Sequence, residues 1–335
     1  MRYLRTLAFT FGLVLGGYVA LEVAVDEFGV FGAAPPRQTV CVPNSRVVKL
    51  RHLTHDAAPE VFVLGSSRAN HYRVRTLERL AGKRAYNLSS PMENALGMQR
   101  WVDWLVVHRD AREVILTLDF DLLEHPVNPA DPFVQDPPEL TGERRLPFVL
   151  RYAFAPPDQL VACLRARWHG TTYRFDPSTG EDFNPAARPL ARAPLEIHPF
   201  AARRDDPTED RLAAMIAALR ADGAHVTVII NPVWSERFRL YRPAVYERWL
   251  RNVVRASGGV WDFSGVNPVT RRIGNYIDDV HFTEDVGDLV LETIYGRARA
   301  PAFGVFVDAD NLEGRVAELR MESRAELGAT TSDGR

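Results

Sequence analysis

Serine, histidine and aspartate stand at two places in this chain where their spacing suits acyl transfer. The first is the run Val61-Phe62-Val63-Leu64-Gly65-Ser66-Ser67-Arg68. The second is Asp278-Asp279-Val280-His281-Phe282, more than two hundred residues later. A serine alkoxide is inaccessible at neutral pH unless a base takes its proton, so a Gly-Ser-Ser turn and a distant Asp-x-x-His say more together than apart. Three-residue spacing in a turn lets a carboxylate accept from one imidazole nitrogen while the other faces a serine. Each role has a competitor. Ser66 and Ser67 both offer a hydroxyl, and either serves as a helix N-cap. Asp279 competes with Asp278, and His71 competes with His281. In the plainest reading Thr283 caps a helix, Glu284 and Asp285 favour its first turn, and His281 is an ordinary surface residue.

Positioning such groups requires strands that deliver them to one edge. Apolar runs suited to strands occur at Glu60–Leu64, Ala85–Leu88, Glu113–Leu118, His225–Ile230 and Val260–Phe263. Between them lie segments with apolar residues at i, i+3, i+4 and i+7. These are Met98, Trp101, Val102 and Leu105; then Leu212, Met215, Ile216 and Leu219; then Tyr246, Trp249, Leu250 and Val253. A last stripe, Val286, Leu289, Val290 and Ile294, follows His281. Alternating strands and amphipathic helices predict right-handed crossovers and a parallel sheet covered on both faces, an α/β three-layer sandwich with five strands. Functional groups in such sheets gather at the carboxyl ends of the strands, where Gly65-Ser66-Ser67 falls.

The chain has 335 residues, with 41 basic and 43 acidic side chains interspersed, which argues against a general nucleic-acid binder. Cys41 and Cys163 are its only cysteines, and with no Cys-x-x-Cys pair a zinc site is not expected; their spacing leaves open a disulfide or two buried thiols. Thr6 to Leu21 carries no charge, and with Glu22 tolerated the apolar stretch reaches Val25. Twenty helical residues rise about 30 Å, the hydrocarbon thickness of a bilayer. Residues 1–25 are therefore expected to be a transmembrane anchor, with Arg2 and Arg5 cytoplasmic and the bulk of the chain outside. A cleaved signal peptide is the competitor, but no clear Ala-x-Ala site follows the apolar core. Residues 26–58 read as a juxtamembrane linker, 59–300 as the α/β domain and 301–335 as a C-terminal helix, solvent-facing, with a tail. Residues 125–206, rich in proline, read as an insertion or lid, or else as an irregular surface excursion.

Gly65-Ser66-Ser67 and Asp278-x-x-His281 resemble the first and last blocks of the SGNH/GDSL hydrolase superfamily. The closest likeness is to its single-pass, periplasm-facing branch associated with bacterial polysaccharide or cell-envelope acylation. Tyr86-Asn87-Leu88-Ser89-Ser90 and Leu116-Thr117-Leu118-Asp119-Phe120 also look like those relatives. The resemblance spans roughly residues 45 to 300. It implies an SGNH/flavodoxin-like fold, Ser67 as nucleophile, His281 as general base and Asp278 as its orienter. It also implies a place in the bacterial inner membrane with the domain in the periplasm, carbohydrate and a membrane-bound O-acyltransferase as partners, and no cofactor or metal.

The chain departs from that pattern at the oxyanion hole. Ser89 or Ser90 stands where the superfamily has a glycine, and Asp119 stands near its asparagine. An ionised carboxylate there would oppose an oxyanion, and each lost donor costs about 3 kcal/mol. The expected hole then rests on backbone N–H groups of Ser67 and the Ser89-Ser90 turn, helped by Asn87; the alternatives are that Arg68 offsets Asp119 or that activity has been lost. Trp168, Tyr173 and Trp234 are candidates for stacking on a sugar, or for local packing. The expected function is a serine esterase or O-acyltransferase acting on an extracytoplasmic acylated carbohydrate or envelope polymer. The alternative is an inactive SGNH-like protein that holds a glycan or an assembly partner.

Overall fold

The computed structural model of the chain describes residues 1–32, 41, 44–56, 58–121, 131–170, 174–183, 187–192, 208–297 and 303–325. In chain order the elements begin with α1 (Arg2–Val25), α2 (Ser45–Leu53), β1 (Val61–Leu64), α3 (Val74–Ala81), β2 (Ala85–Asn87), α4 (Ala95–His108) and β3 (Glu113–Leu118). Next come α5 (Pro138–Thr141), α6 (Arg145–Ala153), α7 (Pro157–His169), β4 (Arg174–Asp176), β5 (Glu181–Phe183), α8 (Thr208–Ala221) and β6 (His225–Ile230). The last are α9 (Ser235–Phe238), α10 (Pro243–Ser257), β7 (Val260–Asp262), α11 (Glu284–Ile294), β8 (Val305–Val307) and α12 (Leu312–Ala325). The chain divides into two compact units, Met1–His55 with Asn128–Ala186, and Asp56–Val127 with Ala187–Arg335.

The second unit carries a six-stranded sheet in the order β2-β1-β3-β6-β7-β8. The first five strands pair in parallel, and β8 runs antiparallel to β7 at the edge. The expected count of five is therefore one short. Val305-Phe306-Val307 is a three-residue run without readable alternation, in a stretch assigned to the C-terminal segment, and only its pairing with Val260–Asp262 makes it a strand. In β1 every residue is buried. Val61 and Val63 share a face with Ile115 and Ile229, packed with Val74 and Leu77 of α3 and Val286 and Val290 of α11. Phe62, Leu64, Val114 and Leu116 point the other way and are buried too, as a parallel sheet requires. Helices α3 and α11 contact one another, while α4, α8, α10 and α12 form a second contacting set. Helix α12 is not simply solvent-facing: Val316 and Leu319 are buried, and Arg315 donates to Asp262 of β7 at 2.8 Å.

The first unit contains α1, long and apolar enough to cross a membrane. Helix α2 lies within the stretch expected to be a linker, capped by Asn44, whose side chain accepts from the Val47 N–H at 3.2 Å. A small core joins Phe28, Val30 and Val47 to Phe148, Tyr152 and Ala155 around α6. Cys41 and Cys163 form a disulfide that bridges 122 residues, with Cα atoms 5.2 Å apart. Three helices, α5 to α7, lie within the proline-rich stretch, while residues 122–130, 171–173, 184–186 and 193–207 lie outside the described residues.

Candidate active site

Strand β1 is followed by Gly65, where a side chain does not fit, because a Cβ would lie 1.9 Å from Thr117 Oγ1 and 3.1 Å from the Thr117 carbonyl of β3. The chain then turns into a 3₁₀ helix, Ser67–His71, with Ser66 as its N-cap. Ser66 Oγ accepts from the Arg68 N–H at 3.2 Å and donates to Asp119 Oδ2. Ser66 is therefore committed to holding the turn. Ser67 Oγ instead lies 2.8 Å from His281 Nε2.

His281 sits in a short loop between Tyr276 and Phe282, which pair as an isolated antiparallel bridge and are both fully buried. Its Nδ1 lies 2.7 Å from Asp278 Oδ2. The other carboxylate oxygen, Oδ1, accepts the N–H groups of Val280 at 2.8 Å and His281 at 2.7 Å. Burial resists ionisation of Asp278, but the His281 side chain and those two amides outweigh it and pull its carboxyl down to about 2. An ionised Asp278 accepts only, so Nδ1 carries the proton and Nε2 accepts from the Ser67 hydroxyl. Asp279 is engaged elsewhere, accepting from Arg237 at 2.7 Å. His71 lies beside His281, ring centroids 5.7 Å apart, and 5.6 Å from Phe282. Burial, and then neighbouring His281, push the His71 imidazole down to about 3, against a smaller opposing effect of Asp278.

Behind Ser67 is a buried charge network of which the sequence suggested only the Arg68–Asp119 pair. Arg68 NH1 lies 2.7 Å from Asp119 Oδ1 and 2.8 Å from Asp121 Oδ1, while NH2 donates to Asp121 Oδ2 at 3.0 Å. Arg68 Nε donates at 2.8 Å to the carbonyl of Val280, between Asp278 and His281. Arg237 donates to Asp121 Oδ2 at 2.9 Å. Burial opposes ionisation of Asp121, yet the two guanidinium groups hold its carboxyl well below the usual range. One guanidinium thus joins the turn bearing Ser67, the end of β3 and the loop bearing His281. Asp119 also accepts from Asn231 Nδ2 at 2.9 Å, and Asn231 Oδ1 accepts from Tyr72 OH at 2.5 Å. Asp119 is therefore surrounded by donors and braces the serine turn through Ser66, which corrects its expected place as an open carboxylate facing the oxyanion.

The expected oxyanion donors are only partly available. Asn87 Nδ2 donates to the carbonyls of Ala69 at 2.8 Å and Tyr72 at 3.3 Å, and its Oδ1 accepts the Ser89 N–H at 2.8 Å. Both amide hydrogens of Asn87 are used, so it clamps the 3₁₀ helix and has none left for the expected oxyanion role. The Ser90 N–H donates to the Gly65 carbonyl at 3.0 Å. Ser90 Oγ is buried and has no partner among the described residues. Ser67 is the first residue of its turn, a position whose N–H a helix leaves without an internal partner. Asn70, also unforeseen, lies beside Ser89, at 3.5 Å from its Oγ. Trp234 is buried in the sheet core, Trp168 is exposed on the other unit, and Tyr173 lies outside the described residues. Among the described residues no three His, Cys, Asp or Glu side chains are grouped to hold a metal ion.

No protein-family model matches this chain, and no curated protein matches it. The crystal structure of TesA is similar to it at a TM-score of 0.35 and 15% identity, over 71% of this chain and 96% of that one.

Proposed function

We propose that this chain is a membrane-anchored serine esterase or O-acyltransferase of SGNH-like, three-layer α/β/α architecture. It acts outside the cytoplasm on an acylated carbohydrate or envelope polymer. The observation that carries this reading is the unbroken line of hydrogen bonds from Asp278 through His281 to Ser67, 2.7 Å and 2.8 Å long. In this reading Ser67 Oγ attacks the acyl carbonyl as its proton passes to His281 Nε2. Asp278 stabilises the imidazolium. The negative oxygen of the tetrahedral intermediate is received by the Ser67 N–H and the Ser90 hydroxyl. Collapse breaks the ester bond, His281 returns its proton to the leaving alkoxide, and the acyl group stays on Ser67. Water or a sugar hydroxyl then attacks that ester, with His281 again the base.

A large acceptor is favoured by access: the side chains of His281 and Asp278 are 24% and 46% exposed. The anchor and the extracytoplasmic setting are supported by α1, by Arg2 and Arg5 before its apolar stretch with Glu22 and Asp26 after it, and by the Cys41–Cys163 disulfide. A second reading, an inactive SGNH-like protein holding a glycan or an assembly partner, is favoured by the engaged Asn87 side chain and Ser90 N–H.

Turnover of an acetyl ester by the full-length protein, with and without a soluble polysaccharide, separates these. Release of acetate alone indicates an esterase, and acetyl appearing on the polysaccharide indicates a transferase. No turnover under either condition would leave the inactive reading standing.

A further inference from the structure

Helix α6 is apolar on two opposite faces, and only one is covered. Phe148 and Tyr152 are buried with Phe28 and Val30. Leu146 and Leu150, at i and i+4 on the other side, are 69% and 43% exposed, and Phe154, just past the helix end, is 52% exposed. Helix α7 has a similar division. Leu160 and Cys163 pack with Val25, Cys41 and Tyr18. Val161, Leu164 and Trp168 are exposed, Trp168 at 86%. Single exposed apolar residues are ordinary, but two consecutive helices presenting such stripes are not.

The position of these helices on α1 indicates what covers them. The Tyr18 hydroxyl meets both Glu22 Oε1 and the carbonyl of Ala155, in the turn joining α6 to α7, and Arg167 donates to the Val25 carbonyl at 2.6 Å. The pair is thus docked along α1 from Tyr18 to Val25, a length of about 10 Å. Residues 1–17 of α1 and its start are exposed throughout. Those residues rise about 24 Å as helix, short of the roughly 30 Å of hydrocarbon that a spanning helix must fill. To fill it, α1 enters the bilayer beyond Tyr18, and the α6–α7 turn goes with it to the headgroup level. Arg144 and Arg145, at the start of α6, and Arg165 of α7 are exposed. Such side chains lay their stems on apolar surface and reach lipid phosphates, and tryptophan concentrates at that depth.

We propose that α6 and α7 form a second, interfacial membrane contact, with Leu146, Leu150, Phe154, Val161, Leu164 and Trp168 set among the headgroups and upper acyl chains of an anionic phospholipid bilayer. This rests on the reading of α1 as a spanning anchor. The tether is then a helix with a buttress, which restricts the tilt of the first unit relative to the membrane.

The full-length chain in nanodiscs of phosphatidylethanolamine and phosphatidylglycerol, plain or brominated in the acyl chains, tests this directly. Carbonate-resistant flotation with liposomes of the same lipids reports on α1. The difference between wild type and Trp168→Phe isolates the emission of Trp168. The expected result is flotation together with a Trp168 signal that is blue-shifted and loses most of its intensity in brominated discs. A Leu150→Gln/Leu164→Gln variant should still float but show weaker quenching. A chain that floats while Trp168 emits as in water and is unquenched overturns this proposal alone. Failure to float overturns the anchor reading and the proposal with it. A Trp168 shielded only when the chain self-associates, without bromine quenching, assigns the face to a second copy and also overturns the proposal.

Discussion

A Cβ on Gly287 would lie 2.0 Å from the carbonyl oxygen of His71. Helix α11, which follows the His281 loop, therefore touches the backbone of the 3₁₀ helix that begins at Ser67. Arg73 adds a clasp just beyond, donating to Glu284 at 2.8 Å, to Asp285 at 2.9 Å and to Asp288. Neither contact touches the reacting atoms, yet both set the separation of the two segments that meet at Ser67 and His281.

Substitution Gly287→Ala should push these segments apart. Overpacking of this kind typically costs about 1–3 kcal/mol. Urea unfolding should show that loss, and ester turnover should fall through kcat more than through KM, since the serine–histidine distance is what changes. Unchanged stability and unchanged kcat would mean that the contact is unimportant.

Asp121 holds two guanidinium groups in the interior, and its side chain, like those of Arg68 and Arg237, is 1% exposed. Removing one member of a buried ion pair leaves uncompensated charge, typically at about 3–5 kcal/mol. Asp121→Ala is expected to lose stability in that range by denaturant unfolding. A loss below about 1 kcal/mol, the scale of exposed pairs, would contradict the network's structural weight.

The neutral His71 makes stability depend on acidity in a defined direction. Its folded value is about 3, against 6.5 for the free side chain. Below 6.5 the unfolded chain binds a proton that the folded chain refuses, so ν for the unfolded state exceeds ν for the folded state and stability rises with pH. The contribution is full above 6.5 and is lost as pH falls towards about 3. Unfolding measured across that window should show a slope shallower by about one proton in His71→Gln. The carboxyls of Asp278 and Asp121, also held low, act in the same direction at the acid end and remain in the variant. An identical slope in wild type and variant would show that His71 titrates normally.

The strands that position the site were readable because their buried runs are continuous: Val61–Leu64 and Glu113–Leu118 are bounded by turns and flanked by periodic helices. Ser67 and His281 were readable as candidates because a Gly-Ser-Ser turn and an Asp-x-x-His loop are local patterns. Their partners were not. Arg68 and Asp121 are 53 residues apart, and Arg237 and Asp121 are 116 apart, and no periodicity links them. Asp119 looked adverse because the serine turn, with Ser66 and Arg68, and Asn231 after β6 are all far from it in sequence, and of these donors only Arg68 was named as offsetting its charge. Asn87 looked like an oxyanion donor because sequence does not reveal that the carbonyls of Ala69 and Tyr72 take both its hydrogens. Strand β8 is too short to signal itself, and spacing alone does not pair Cys41 with Cys163.

The proposed function depends on Ser67 being a nucleophile activated by His281. It is tested most directly by incubating the folded full-length protein with a fluorophosphonate and locating the adduct by peptide mass spectrometry. A phosphonyl adduct is expected on Ser67, absent in Ser67→Ala and strongly slowed in a His281→Ala variant that remains folded. Absence of labelling in the folded wild-type protein, or an adduct on another serine that persists in Ser67→Ala, would contradict it.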